Sequence, residues 1–367
     1  MNMLIKGGNV LPNDIRNILL IQLGDIGDVV LSLPTIRALR ENFPQANLIV
    51  AVMEKAGGLV EKCPWVRGVI AIKKNRWKWY KEITYQKAFF SHLRKYRFDM
   101  AVDLRTGTRG AILAFLSGAR LRIGYYTNSE KPWRNRMFTH LHKPEPRPGW
   151  HLTEFYQGIL RDFNVSTEKI WPEIRISVER QQSAEAFFRK ENIPLDRPII
   201  AVQPFSLWKY KEWSIAKYIE LISRITTEYK LTVILTGSSD EQRRAEEIAK
   251  KCGQDVFNLA GKTSIGMLSA VLKMCDLFVG GDSAGVHISA AVGIPTVSIF
   301  GPTAAFAWAP RGEKHSVIQK ELPCVPCNLK GCDGKGISQC LEELTVDEVV
   351  PAVKVQLDRI IHDFRKP

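Results

Sequence analysis

The sequence contains no apolar run approaching the ~20 residues of a membrane-spanning helix. Its opening, MNMLIKGGNVLPND, lacks the apolar core of about 7–15 residues and the small-residue cleavage site of a secretory signal. These absences predict a cytoplasmic, soluble chain. The glycine loop after the first apolar run, Gly24-Asp25-Ile26-Gly27-Asp28, fits neither G-x-G-x-x-G nor a loop closed by Gly-Lys-Ser/Thr, which argues against a dinucleotide-dependent oxidoreductase. Acidic residues are scarce in one region: residues 70–147 hold 5 Asp+Glu against 18 Lys+Arg, a local charge of +13. The whole chain carries +14, so this one region holds nearly all of the excess. Such a concentration calls for an anionic partner: nucleic acid, an anionic membrane face or a phosphorylated acceptor. The seven cysteines are odd in number, and with no secretion signal they read as reduced thiols.

At 367 residues the chain has room for two domains of ordinary size, and its 45% hydrophobic content is that of a globular protein. Ile18–Leu23 is a continuous apolar strand, and Val29–Leu39 has helical character. Further strands are predicted at Asn47–Met53, Ile70–Ile72 and Met100–Asp103, with a helix over Tyr85–Tyr96. After an extended, proline-marked crossing at Pro172–Ser177 the pattern restarts. Strands at Ile199–Val202 and Leu231–Leu235 alternate with helices at Gln181–Asn192, Ser214–Tyr229, Asp240–Lys251 and Ile265–Met274.

The most informative run is Asp276–Thr303, DLFVGGDSAGVHISAAVGIPTVSIFGPT. Leu277–Val279 reads as a buried strand, Gly280-Gly281 as a tight turn, and Asp282 or Ser283 as the N-cap of a helix over Ala284–Val292. Thr296–Phe300 follows as a second buried strand. A glycine turn feeding a helix N-terminus offers unpaired N–H groups and the positive end of the dipole, which suits a phosphate or diphosphate. As pure structure, the same residues describe an ordinary strand–turn–helix of a parallel sheet.

GGDSAGVHISAAVGIPTVSIFGPT resembles the C-terminal signature of glycosyltransferase family 9, the heptosyltransferases of lipopolysaccharide inner core. Asp282, Gly285, His287, Ala290-Ala291, Gly293, Pro295 and Gly301-Pro302-Thr303 carry the match. IQLGDIGDVVLSLPTIRALR resembles the family's opening through Gly27-Asp28 and Leu33-Pro34. Asp103-Leu104-Arg105, Leu116–Arg120, Arg122–Tyr125, His151 and Glu154 continue it in order. The resemblance spans Ile18 to about Val353 and implies an α/β chain of two facing Rossmann-like, doubly wound domains (the GT-B architecture) with a cleft between them. The implied limits are 1–175 for the acceptor domain, 176–345 for the nucleotide-sugar domain, and 346–367 for a C-terminal helix packing back toward the first.

By the same resemblance the donor is ADP-L-glycero-D-manno-heptose and the acceptor an anionic lipid A/core oligosaccharide met at the inner face of the cytoplasmic membrane. Asp28 is then the catalytic carboxylate, with Asp25 as competitor and a helix-start acid as its plain structural alternative. Ser206 and Lys211 fall at positions expected on the donor's phosphates, Lys211 also counting as catalytic, and Lys209 lies close enough to compete. Lys262, Thr263, Asp282, Ser283, Ala284, Gly285, His287 and Thr303 complete the expected donor side, and the Gly237–Glu241 loop lies near the expected nucleotide. Gly27, Arg105, Arg109, Arg120 and Arg122 form the expected acceptor side. No cofactor is implied, and the sequence lacks the Asp-x-Asp triplet with which other glycosyltransferases hold a divalent metal.

Three readings compete. Trp77, Trp79, Tyr80, Tyr85 and Phe89 interleave with Lys and Arg as nucleic-acid binders do, but no nucleic-acid motif accompanies them. Arginines and lysines gripping acceptor phosphates, with aromatics at a membrane surface, fit the tract better. Within the family, a different nucleotide-activated sugar is the rival. Cys324, Cys327, Cys332 and Cys340 contain half of a zinc knuckle, but the C-x4-C-x7-C remainder is too widely spaced for an ordinary zinc ribbon.

Overall fold

The computed structural model describes residues 11, 14–73, 88–128, 131–144, 149–334 and 336–364. Trp77, Trp79, Tyr80 and Tyr85 of the aromatic-basic tract lie outside them. The chain divides into two compact units between Glu173 and Ile174.

The first unit holds β1 (Asn17–Gln22), β2 (Asn47–Met53), β3 (Gly68–Ile72), β4 (Met100–Asp103), β5 (Leu121–Tyr125) and β6 (His140–His142). They form one sheet in the order β3-β2-β1-β4-β5-β6. Every neighbouring pair is parallel. A parallel sheet covered on both faces has no wet side, and the sequence obeys: Ile18, Leu19, Leu20 and Ile21 are all fully buried, without alternation.

The second unit repeats the plan with β7 (Ile199–Gln203), β8 (Thr232–Leu235), β9 (Val256–Asn258), β10 (Leu277–Gly281), β11 (Thr296–Phe300) and β12 (His315–Gln319). Their order is β12-β11-β10-β7-β8-β9, again all parallel. In each unit the first strand lies beside the fourth, so the order reverses there. Loops leaving the carboxyl ends of those two strands part to opposite sides and leave a ligand-sized gap.

The helices show why their sequences fold. Ile215–Glu228 buries Tyr218, Leu221, Ile222 and Ile225, an i, i+3, i+4, i+7 stripe laid on the sheet. Val346–Phe364 spends Val349, Val353 and Leu357 on the core of this same second unit. Two local expectations need correction. The predicted helix over Val29–Leu39 is two helices, Ile26–Leu31 and Leu33–Asn42, parted at Ser32, with Pro34 in the first turn of the second. Gly280-Gly281 is no turn but the end of β10, Gly280 aligned with Ser298 and Gly281 with Ile299. The glycines are there for closeness: a Cβ on Gly280 would stand 2.9 Å from the Gln203 carbonyl.

Candidate active site

In the first unit the switch point is occupied by Asp28. The loop leaving β1 turns into Ile26–Leu31 and carries Asp28 in its first turn, 5% exposed. Its Oδ2 accepts the Asp25 backbone N–H at 2.8 Å. Its Oδ1 accepts the Tyr156 hydroxyl at 2.6 Å and the Arg105 guanidinium at 2.7 Å. Gly24 makes room, because a Cβ there would fall 2.4 Å from Asp28 Oδ2. Arg105 leaves the end of β4, and Tyr156 comes from the helix Leu152–Arg161. Asp25, the competing acid, is exposed and paired with Lys55. Burial, reinforced by the Asp28 charge, lifts the Tyr156 hydroxyl far above its ordinary range, so it remains a donor. Burial works against the Arg105 charge, but Asp28, Tyr156 and Asp25 together outweigh it and raise its pKa.

Behind this trio stands a buried pair. Arg134, fully enclosed, donates to the carbonyls of Tyr125 at 2.6 Å, Arg105 at 2.8 Å and Gly107 at 3.1 Å. It thereby fixes the main chain from which Arg105 projects. Asp103 Oδ1 accepts the Arg105 N–H at 3.1 Å, while Oδ2 lies 3.6 Å from Arg134 with no hydrogen bond. Burial dominates the weak pairing and pushes Asp103 up to about 7.

The second unit builds a matching constellation at its own switch point. Asp282 follows β10, and the loop after β7 brings Lys211 Nζ to 2.7 Å from Asp282 Oδ2. Thr303, following β11, donates to the same oxygen at 2.6 Å. Ser206 donates to the Asp282 carbonyl at 3.0 Å. The loop is held in turn by Glu212, which accepts the Ser206 N–H at 3.2 Å and is gripped through both its oxygens by Arg244. The ring of Trp308 stands 5.8 Å from the Lys211 ammonium and 6.2 Å from the His287 ring. Ser283 is the N-cap of Ala284–Ala291 in backbone geometry, yet its hydroxyl makes no capping bond and meets no partner among the described residues. Gly285 leaves room for its neighbours, since a Cβ would stand 2.2 Å from Gln203 Oε1 and 2.8 Å from the Phe278 ring.

The remaining expected residues divide. Gly27 shares the first turn of Asp28's helix, and Arg109 lies exposed in the first turn of Thr108–Leu116, close behind Arg105. Arg120 and Arg122 are not brought to Asp28. They lie at the start of β5, the opposite end of the sheet, where Arg120 meets Asp14 and Asp99 at 3.6 and 3.5 Å. Arg122 donates to the carbonyls of Met137 and Ala119, both at 2.7 Å. Lys262 pairs with Glu191, and Thr263 precedes the N-cap Ser264 of Ile265–Lys273. Lys209 is exposed at the start of the short turn that ends in Lys211. The four tail cysteines are free, and among the described residues no three His, Cys, Asp or Glu side chains stand together as metal ligands. Sequence reasoning missed Tyr156, Arg134, Glu212 and Trp308.

The family model for glycosyltransferase family 9 (heptosyltransferase) matches residues 87–337, well over half of the chain. The chain belongs to glycosyltransferase family 9. As a member of that family it is a glycosyltransferase. It is similar to lipopolysaccharide heptosyltransferase 3 of Escherichia coli, 27% identical over 288 residues, covering 77% of this chain and 83% of the relative. Among solved structures it is similar to a family 9 glycosyltransferase from Veillonella parvula DSM 2008. That match has a TM-score of 0.80 at 18% identity and covers 96% of this chain and all of the other. It is also similar to the E. coli heptosyltransferase WaaC with ADP-2-deoxy-2-fluoro heptose, with a TM-score of 0.71 at 20% identity, covering 92% and 99%. Both solved structures share the fold of this chain.

Proposed function

We propose that this family 9 enzyme moves heptose from ADP-L-glycero-D-manno-heptose to an anionic inner-core lipopolysaccharide acceptor, inverting the anomeric centre and needing no metal. One observation carries the reading: the two switch points hold complementary chemistry, a buried carboxylate in the first unit and a cation beside an open helix start in the second. The acceptor hydroxyl gives its proton to Asp28 as its oxygen bonds to the anomeric carbon. The bond from that carbon to the diphosphate oxygen breaks on the opposite face, and ADP leaves with the electron pair. Negative charge grows on the departing diphosphate. Lys211, the Ser206 and Ser283 hydroxyls and the first-turn N–H groups of Ala284–Ala291 are the groups suited to meet it, in place of a divalent cation.

Asp282 carries the wrong sign for a phosphate. By binding Lys211 and Thr303 it sets their places, and it offers its free edge to sugar hydroxyls. The ADP complex of WaaC and the heptosyltransferase relatives supply the donor and acceptor class to this reading. With an anionic lipid acceptor, the enzyme works as a peripheral protein on the cytoplasmic membrane face. The test is Asp28→Asn: transfer should fall at least ~10³-fold with ADP-heptose affinity nearly kept, because a base acts in the transition state. A parallel loss of donor affinity would give Asp28 a structural role instead.

A further inference from the structure

We propose that Arg105 is a gate on Asp28, opened when an anionic group of the acceptor draws the guanidinium away. The inference rests on Asp28 as the base. A carboxylate takes a proton through a free lone pair, and here three of its roughly four lone-pair positions are filled, two on Oδ1 and one on Oδ2. Oδ2 is held at 2.8 Å by the Asp25 N–H, part of the loop backbone, with Gly24 pressed against it. Oδ1 is held by Tyr156 at 2.6 Å and Arg105 at 2.7 Å. Release of the Arg105 contact frees a lone pair on Oδ1 for the acceptor hydroxyl.

The three contacts differ in freedom. The Asp25 N–H is fixed in the turn that starts the helix Ile26–Leu31. Tyr156 is 2% exposed on the helix Leu152–Arg161, packed against Phe155 at a ring separation of 5.7 Å. The Arg105 side chain is 42% exposed, against 6% for Asp28. Its main chain is pinned by Arg134 and Asp103, so the side chain alone can swing. A phosphate or carboxylate of the acceptor can offer the guanidinium charge-assisted hydrogen bonds of the kind it gives up at Asp28. Arg109, exposed in the helix turn that follows and with no acid in that turn, adds to the pull on an arriving anion. Tyr156 stays behind as a positioning residue, keeping the freed carboxylate in its orientation. The gate ties chemistry to the acceptor: without its anion the base stays covered.

Competition for one guanidinium has a signature that a merely structural ion pair lacks. Binding of two probes to the whole chain, without donor, would be measured by calorimetry: a phosphorylated inner-core oligosaccharide and its dephosphorylated form. Asp28→Asn should bind the phosphorylated probe about 10-fold more tightly than the unaltered protein, since Arg105 is no longer held. Arg105→Gln should bind it about 10-fold more weakly. The combination of the two should show no gain over Arg105→Gln alone. A gain that survives dephosphorylation, and still needs Arg105, assigns the anion to the acceptor's carboxylates and keeps the gate. A gain that persists without Arg105 would be simple charge repulsion by Asp28, and no gain with either probe would mean no competition; each overturns the proposal. Turnover is read separately: transfer surviving in Asp28→Asn contradicts the base, whereas the binding cycle contradicts the gate alone.

Discussion

At the scale of single residues, the two units differ in how charge is held at their switch points. Asp28 is a buried acid made tolerable by three donors. Lys211 is a largely buried cation with one strong partner and an aromatic face. Lys211→Ala should therefore weaken ADP binding about 10-fold and turnover by more, measured by ADP titration and initial rates; unchanged ADP affinity would remove Lys211 from the diphosphate. Asp103 offers a prediction of another kind. A free aspartate ionises near 3.8, while this one keeps its proton up to about 7. The folded state thus binds that proton more tightly than the unfolded state. Stability from this group is fully present below pH 4 and is lost as pH rises through about 7, by at most ~1.4 kcal/mol per pH unit. Asp103→Asn should flatten that decline between about pH 4 and 7 in thermal unfolding, and an unchanged decline would place its cause elsewhere.

At the scale of elements, what was legible followed from continuous hydrophobic runs and from glycine and proline punctuation. Asn47–Met53, Met100–Asp103 and Thr296–Phe300 are found at the expected limits. The short strands β5, β6 and β12 were not, because LRIGY, HLH and HSVIQ interleave polar residues and take their place from neighbours already in the sheet. Gly280-Gly281 was misread because a glycine needed for closeness looks, in sequence, like one needed for a turn. Gly285 shows that need most sharply. Gly285→Ala should cost about 1–3 kcal/mol through displacement of Gln203 and Phe278 and should loosen ADP, read by melting with and without ADP. An alanine variant with unaltered melting and affinity would show that this packing yields freely.

At the scale of the whole molecule, the lone excess of positive charge was easy to read but only partly available. Arg134 is buried under main-chain carbonyls, Arg122 is spent on carbonyls at the far end of the sheet, and Arg105 is on Asp28. Only topology reveals this, since Tyr156 and Asp28 stand 128 residues apart. No local pattern announces a tyrosine that will meet an acid from another helix. The signals legible in sequence were those written contiguously, Gly-Asp after β1 and the Asp282–Thr303 run. Among the described residues no helix is long and apolar enough to cross a membrane. The most direct measurement is ADP release from ADP-L-glycero-D-manno-heptose, with and without an inner-core lipopolysaccharide acceptor, in excess EDTA. The account predicts release that requires the acceptor, survives EDTA and disappears in Asp28→Asn. Release that needs a divalent metal, or none from ADP-heptose with any inner-core acceptor, would contradict it.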